Sequence, residues 1–96
     1  MADPKQDVQR SFRVTGRVQG VGFRMWTSRR ALELGLRGTV RNHPDGSVLV
    51  HVAGPAHLVD QLRALLTQGP PAASVQSVEE IPNPADPLPA DFRIVT

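Results

Sequence analysis

The sequence from Gly16 to Arg24 reads Gly-Arg-Val-Gln-Gly-Val-Gly-Phe-Arg and separates two segments with different apolar spacing. Upstream, from Ser11 to Val18, apolar and polar residues alternate, which predicts a half-buried strand. Downstream, apolar residues recur at helical spacing and predict a helix from about Arg24 to Leu34. The predicted apolar face of this helix comprises Phe23, Met25, Thr27, Ala31, Leu32, Leu34 and Leu36.

The turn between these two segments has the composition of an anion-binding loop. Gly20 and Gly22 can adopt positive φ angles, so consecutive backbone N–H groups can point into one concavity. Arg24 would stand at the start of the helix, where the helix dipole disfavours a cation unless an anion lies between them. We therefore expect Gln19 to Arg24, termed the anion loop below, to bind a small tetrahedral anion. Gly16 is expected to relieve packing beside it.

The rest of the chain alternates strand and helix signals. Predicted strands cover Arg37–Asn42, Ser47–Ala53 and Ser74–Ile81, and a short closing strand includes Phe92, Ile94 and Val95. His43-Pro44-Asp45-Gly46 predicts a hairpin turn, and Pro55 is expected at the first position of a second helix that ends at Gly69-Pro70-Pro71.

This order is β-α-β-β-α-β with a small strand added, which predicts an α+β, ferredoxin-like βαββαβ sandwich. In that fold an antiparallel sheet carries two helices on one face. We expect residues 1–10 to form a flexible N-terminal leader and residues 11–96 to form one domain.

Composition excludes several classes of site. The chain has no cysteine, which removes disulfides, thiolate metal sites and a cysteine nucleophile. His43, His51 and His57 lack the spacing of metal ligands, so no metal or other cofactor is expected. No apolar run is long enough to span a membrane, and we expect a cytoplasmic protein without a membrane partner.

The charge pattern is typical of an ordinary solvated surface rich in arginine. The formal net charge is only +2, and the basic residues are spread along the sequence rather than clustered. An RNA-binding domain of this fold would expose aromatic side chains on its central strands. Phe12 falls on the buried alternation and Arg37–Asn42 contains no aromatic, so no nucleic-acid partner is expected.

Two motifs give the chain a family resemblance. The first is Gly16-x-Val18-Gln19-Gly20-Val21-Gly22-Phe23-Arg24. The second is Gly38-Thr39-Val40-Arg41-Asn42, followed by Asp45-Gly46-Ser47-Val48 and Gly54. With the element order, they make the region from Phe12 to Val95 resemble an acylphosphatase. Two departures are Thr39, where such proteins often carry an aromatic residue that is expected to pack near the site, and the proline-rich segment 82–89.

The resemblance implies hydrolysis of the carboxyl–phosphate bond of acyl phosphates, giving a carboxylate and inorganic phosphate without a metal. It implies that Arg24 and Asn42 are catalytic, with Asn42 orienting the attacking water. The phosphate-binding residues it implies are Gln19, Gly20, Val21, Gly22, Phe23 and Arg24, mainly through backbone N–H groups. Inorganic phosphate would be both product and competitive inhibitor, and the protein is expected to be a monomer.

Two alternatives stay open. From the residues alone, Asn42 could equally begin the His43-Pro44-Asp45-Gly46 turn, a role that asparagine often fills. The chain could also be a regulatory phosphate-binding domain rather than an enzyme. The presence of both Arg24 and Asn42 favours the enzyme.

Overall fold

A five-stranded sheet carries two helices in the computed structural model, which describes residues 6–96. The elements are β1 (Asp7–Arg17), α1 (Phe23–Glu33), β2 (Arg37–Asn42), β3 (Val48–Pro55), α2 (Ala56–Gln68), β4 (Ser74–Ile81) and β5 (Phe92–Ile94). The strand order is β4-β1-β3-β2-β5. The predicted α+β, ferredoxin-like sandwich is confirmed.

The core lies between the sheet and the two helices. On β1 and β3, alternate side chains such as Phe12, Val14 and Val50 are buried, as the predicted alternation requires. From the helices, Phe23, Leu62 and Leu66 are the largest side chains that complete this layer. The opposite face of the sheet, termed the outer face below, carries the odd-numbered residues of β1 and β2. No helix among residues 6–96 combines the length and apolar character needed to cross a membrane.

The first strand is longer than predicted. β1 begins at Asp7, which pairs with Pro55 of β3, so residues 7–10 of the predicted leader belong to the sheet. β3 runs two residues past its predicted end at Ala53 and supplies the pairing partners for this extension. Residues 1–5 of the predicted leader lie outside the described residues.

Three local predictions were wrong. Met25 and Leu32 do not widen the buried face of α1, because 57% and 54% of their surfaces are exposed. Pro55 precedes α2 as its N-cap residue instead of occupying the first helical position, since its ψ of 136° is not helical. The sheet is not wholly antiparallel, because β5 pairs with β2 in parallel.

The parallel pairing of β5 follows from the path of residues 82–91. β4 ends at the same end of the sheet at which β2 begins, and the proline-rich segment crosses the outer face from there. The chain therefore enters β5 in the same direction as β2. Proline suits this crossing because it has no N–H group to satisfy outside the sheet.

A side-chain network anchors the crossing segment to the sheet. Asn83 Nδ2 donates to the carbonyl oxygen of Gln9 at 3.2 Å, which directs Asn83 Oδ1 to accept from Ser11 Oγ at 2.9 Å. Since the Ser11 hydroxyl proton is used there, the contact of 2.7 Å between Ser11 Oγ and His51 Nδ1 requires a proton on His51 Nδ1. Burial, assisted by the nearby charge of Arg41, lowers the pKa of His51. Ser11 is fully buried, and among residues 6–96 its hydroxyl is satisfied by this network.

The turn between β2 and β3 is held by Asp45. Its Oδ1 accepts hydrogen bonds from the Ser47 N–H at 2.9 Å and the Ser47 hydroxyl, and its Oδ2 accepts from Arg13 Nη2 at 2.6 Å. The Ser47 hydroxyl, followed by Arg13, holds the pKa of Asp45 well below its usual value. These contacts tie the end of β2, where Asn42 lies, to β1.

The lowered pKa of Asp45 predicts acid sensitivity of the fold. A carboxylate whose pKa falls on folding contributes stability above its unfolded pKa, near pH 4, and loses it progressively as the pH drops further. We expect the free energy of unfolding of wild type to exceed that of Asp45→Asn at pH 6. This difference should decrease steadily between pH 5 and pH 2. Urea unfolding of both proteins across this range measures the difference. A constant difference would contradict the role of the carboxylate charge.

Candidate active site

The anion loop leaves open space above two of its glycines. Gly20 and Gly22 have φ angles of 74° and 77°, and a Cβ atom at either position would meet no other atom within 4 Å. Gly16 differs, because a Cβ there would collide with the backbone of Ser74 and Gln76 where β1 and β4 shift register. Gly16 is therefore required for packing, as predicted, whereas Gly20 and Gly22 shape a surface that a ligand can approach.

The start of α1 has unsatisfied positive potential. Gly22 is its N-cap residue in the left-handed conformation, with no capping side chain, and no acidic residue lies in the first turn. The first N–H groups of a helix have no intrahelical partner, so they attract an anion. Phe23 follows at once and is buried in the core, which holds this turn against the sheet.

A cavity of about 240 Å³ opens beside this helix start. Its lining consists of Val18, Gly20, Gly22, Phe23, Arg24, Met25, Asn42 and Ile94. The tertiary structure thus brings Arg24 and Asn42, 18 positions apart in the sequence, to one cavity. Gln19 and Val21, also predicted to bind phosphate, do not line it.

Neither predicted catalytic side chain contributes a hydrogen bond or an ion pair to the fold of residues 6–96. Arg24 forms no ion pair and no side-chain hydrogen bond with any of residues 6–96, and the same holds for the Asn42 amide. Asn42 is the last residue of β2, and its backbone is paired with Val48 of β3. Among residues 6–96, its side chain makes no hydrogen bond within the following turn, which Asp45 and Ser47 organise instead.

The side chain of Gln19 has a role that the sequence did not predict. Its Nε2 donates to the carbonyl oxygens of His43 at 2.8 Å and Ser47 at 2.9 Å. Both acceptors belong to the hairpin that begins just after Asn42. The amide therefore joins the anion loop to the strand that carries Asn42. No local pattern could reveal this, since the acceptors are 24 and 28 residues away.

Other candidate residues lie outside the cavity. His43 contacts Asp45 within the turn, as expected of a turn residue. Among residues 6–96 no group of three or more potential ligand side chains could hold a metal ion. Thr39 does not pack near the cavity, because it lies on the outer face beside His51 and Arg41. Its replacement of an aromatic residue therefore does not alter the cavity lining.

Comparison with known proteins identifies the family of the chain. The family model described as acylphosphatase matches residues 10–94. The acylphosphatase of Rhizobium etli is 46% identical over 94 residues, covering 98% of each chain, and that of Mesorhizobium japonicum is 50% identical over 95 residues, covering 99% of each.

A solved structure extends the similarity to the fold. The acylphosphatase from Coxiella burnetii superimposes with a TM-score of 0.80 at 35% identity, covering 93% of both chains. The residues that the family model matches, 10–94, include the anion loop, α1, β2 and β5, and so every element that lines the cavity. The chain therefore belongs to the acylphosphatase family.

Proposed function

We propose that this acylphosphatase, a hydrolase acting on acid anhydrides, holds the phosphoryl group between the anion loop and Arg24 and directs water at it with Asn42. The observation that carries the proposal is that Arg24 and Asn42 line one cavity and that neither side chain has a hydrogen-bond or ion-pair partner among residues 6–96. Side chains that neither pack in the core nor pair with neighbours are available to a ligand.

Arg24 is suited to the phosphoryl group. Its planar guanidinium can donate to two phosphoryl oxygens at once, and its positive charge strengthens both hydrogen bonds. The open N–H groups at the start of α1 face the same cavity and supply a second source of positive potential. Backbone groups near Gly20 and Gly22 can approach the oxygens closely because no Cβ atom intervenes.

Asn42 is suited to the water. Its amide oxygen can accept a hydrogen bond from water while its NH₂ group donates to the substrate or the protein. The water oxygen forms a bond to phosphorus, and the bond from phosphorus to the acyl oxygen breaks. The carboxylate leaves with the electron pair, and the water proton passes to a phosphoryl oxygen. An acyl phosphate dianion and water thus give a carboxylate and dihydrogen phosphate.

This reaction requires little from the protein beyond positioning of the reacting groups and electrostatic stabilisation. A carboxylate leaves without protonation, since carboxylic acids have pKa values near 4, so no general acid is required. Phosphoryl transfer is accelerated mainly by positioning and electrostatic stabilisation. For the same reason we propose that no metal ion takes part.

The remaining properties stay predictions from the sequence. They are competitive inhibition by inorganic phosphate, a monomeric state, a cytoplasmic location and the absence of a nucleic-acid partner. A regulatory phosphate-binding domain would bind phosphate without turnover, so measurement of acyl phosphate hydrolysis distinguishes that alternative.

Replacement of Arg24 by alanine is expected to abolish phosphate binding and activity together. Loss of a charge-assisted contact to the developing charge should lower kcat/KM by at least a hundredfold. Acetyl phosphate hydrolysis in the presence of EDTA and inhibition by inorganic phosphate measure both effects. Arg29→Ala is the matched control, because Arg29 is exposed on the same helix and does not line the cavity. Inhibition by phosphate that is unchanged in Arg24→Ala would refute the proposed anchor.

Replacement of Asn42 by alanine is expected to separate binding from catalysis. We expect kcat to fall about a hundredfold, as for other polar groups that act in the transition state. The inhibition constant of phosphate should stay within about twofold of wild type, because Arg24 and the anion loop remain. A normal kcat combined with reduced stability would instead make Asn42 a structural residue of the hairpin.

Replacement of Gln19 by leucine is expected to loosen the connection between the anion loop and β2. Losing its two hydrogen bonds should cost about 1–2 kcal/mol of unfolding free energy. Because small displacements of catalytic groups are costly, kcat/KM should also fall, by about tenfold. Gln61→Leu, on the exposed surface of α2, is the control for adding an apolar side chain. Reduced stability with unchanged kcat/KM would show that Gln19 supports the fold only.

A further inference from the structure

Large apolar side chains are exposed at only three places among residues 6–96. Met25 is 57% exposed, Leu32 is 54% exposed and Ile94 is 43% exposed. A single exposed apolar residue needs no explanation, but two that border the same cavity are informative. Met25 and Ile94 both line the cavity that contains Arg24 and Asn42, whereas Leu32 lies elsewhere on α1.

The two side chains come from different elements that pack together. Met25 lies in the first turn of α1, directly after Arg24, and helical side chains lean toward the helix N-terminus. Met25 therefore leans toward the anion loop. Ile94 lies on β5, which packs against α1 and forms the edge of the sheet.

Ile94 and Asn42 share one face of the sheet. Ile94 is paired with Val40, and side chains two residues apart on a strand point the same way, so Val40, Asn42 and Ile94 all face the helices. Asn42 lies two residues beyond Val40, about 7 Å further along the strand. This distance is short enough for a small acyl group, attached to a phosphoryl group beside Asn42, to reach Ile94.

The cavity has a polar part and an apolar part. Arg24 and Asn42 provide its polar side chains, and the side chains of Met25 and Ile94 provide an apolar wall that water now contacts. Among residues 6–96, Arg24 is the only charged residue in the lining, and the proposed function assigns it to the phosphoryl group. A charged substituent on the acyl group would thus lose hydration without gaining a partner, whereas an apolar one would displace water.

We infer that Met25 and Ile94 form an acyl-group subsite that favours acyl phosphates with an uncharged, apolar acyl group larger than acetyl. The inference rests on the proposed function, because Arg24 and Asn42 define where the phosphoryl group lies. Both residues are partly exposed in the free protein, so binding of an apolar acyl group that covers them is favoured by the burial of apolar surface. The subsite sets a preference among acyl phosphates and leaves the chemical step unchanged.

The test compares kcat/KM for benzoyl phosphate and acetyl phosphate in four proteins. They are wild type, Met25→Gln, Ile94→Thr and the control Leu32→Gln, which changes an equally exposed apolar residue of α1 outside the cavity. The ratio of the two values removes any common effect on folding or on phosphoryl binding. Met25→Gln and Ile94→Thr are expected to lower the benzoyl-to-acetyl ratio about 3- to 10-fold each, in line with one or two methylene contacts. Leu32→Gln should leave it unchanged.

Each outcome bears on one of the two proposals. A ratio that is unchanged in either cavity variant, or that falls equally in Leu32→Gln, overturns the subsite. Met25→Gln changes an exposed side chain, so its result holds even if Ile94→Thr disturbs β5. Failure of the proposed function is recognised separately, by phosphate inhibition that survives in Arg24→Ala. The subsite fails alone if the ratio is unchanged while Arg24→Ala loses that inhibition.

Discussion

One amide side chain joins the two halves of the site. The anion loop follows β1 and Asn42 ends β2, and these strands are not neighbours because β3 lies between them. The Nε2 of Gln19 spans this separation by donating to two carbonyl oxygens of the β2–β3 hairpin. The proposed mechanism has Arg24 and Asn42 act on the same phosphoryl group, so it relies on this connection and on the Asp45 contacts that hold the hairpin.

The proline-rich segment matters for the site although it lies on the other face of the sheet. Its anchoring through Asn83 and Ser11 determines where the chain enters β5. β5 in turn brings Ile94 to the cavity and pairs in parallel with β2. This connection thus positions one wall of the proposed acyl-group subsite, whereas the residues proposed to hold the phosphoryl group lie on β2, on α1 and in the anion loop.

The sequence predicted most of the fold because its signals are local. The strand limits of Arg37–Asn42 and Ser74–Ile81 agree with the structure, since alternation and turn residues act within a few positions. The predictions were wrong where contacts with residues distant in the sequence determined the local structure. Residues 7–10 extend β1 only because β3 continues to Pro55, and Met25 is exposed because its face of α1 borders a cavity rather than the core.

By itself, the sequence determined the element order, the glycine turn before α1 and the identity of Arg24 and Asn42 as candidates. Each of these depends on residue type and short spacing, which act before the chain folds. Only the tertiary structure decided that the two side chains meet in one cavity, that Gln19 uses its amide within the protein, and that Met25 and Ile94 form a common wall. These features require strands far apart in the chain to pair in register, and that pairing is set by the packed core as a whole.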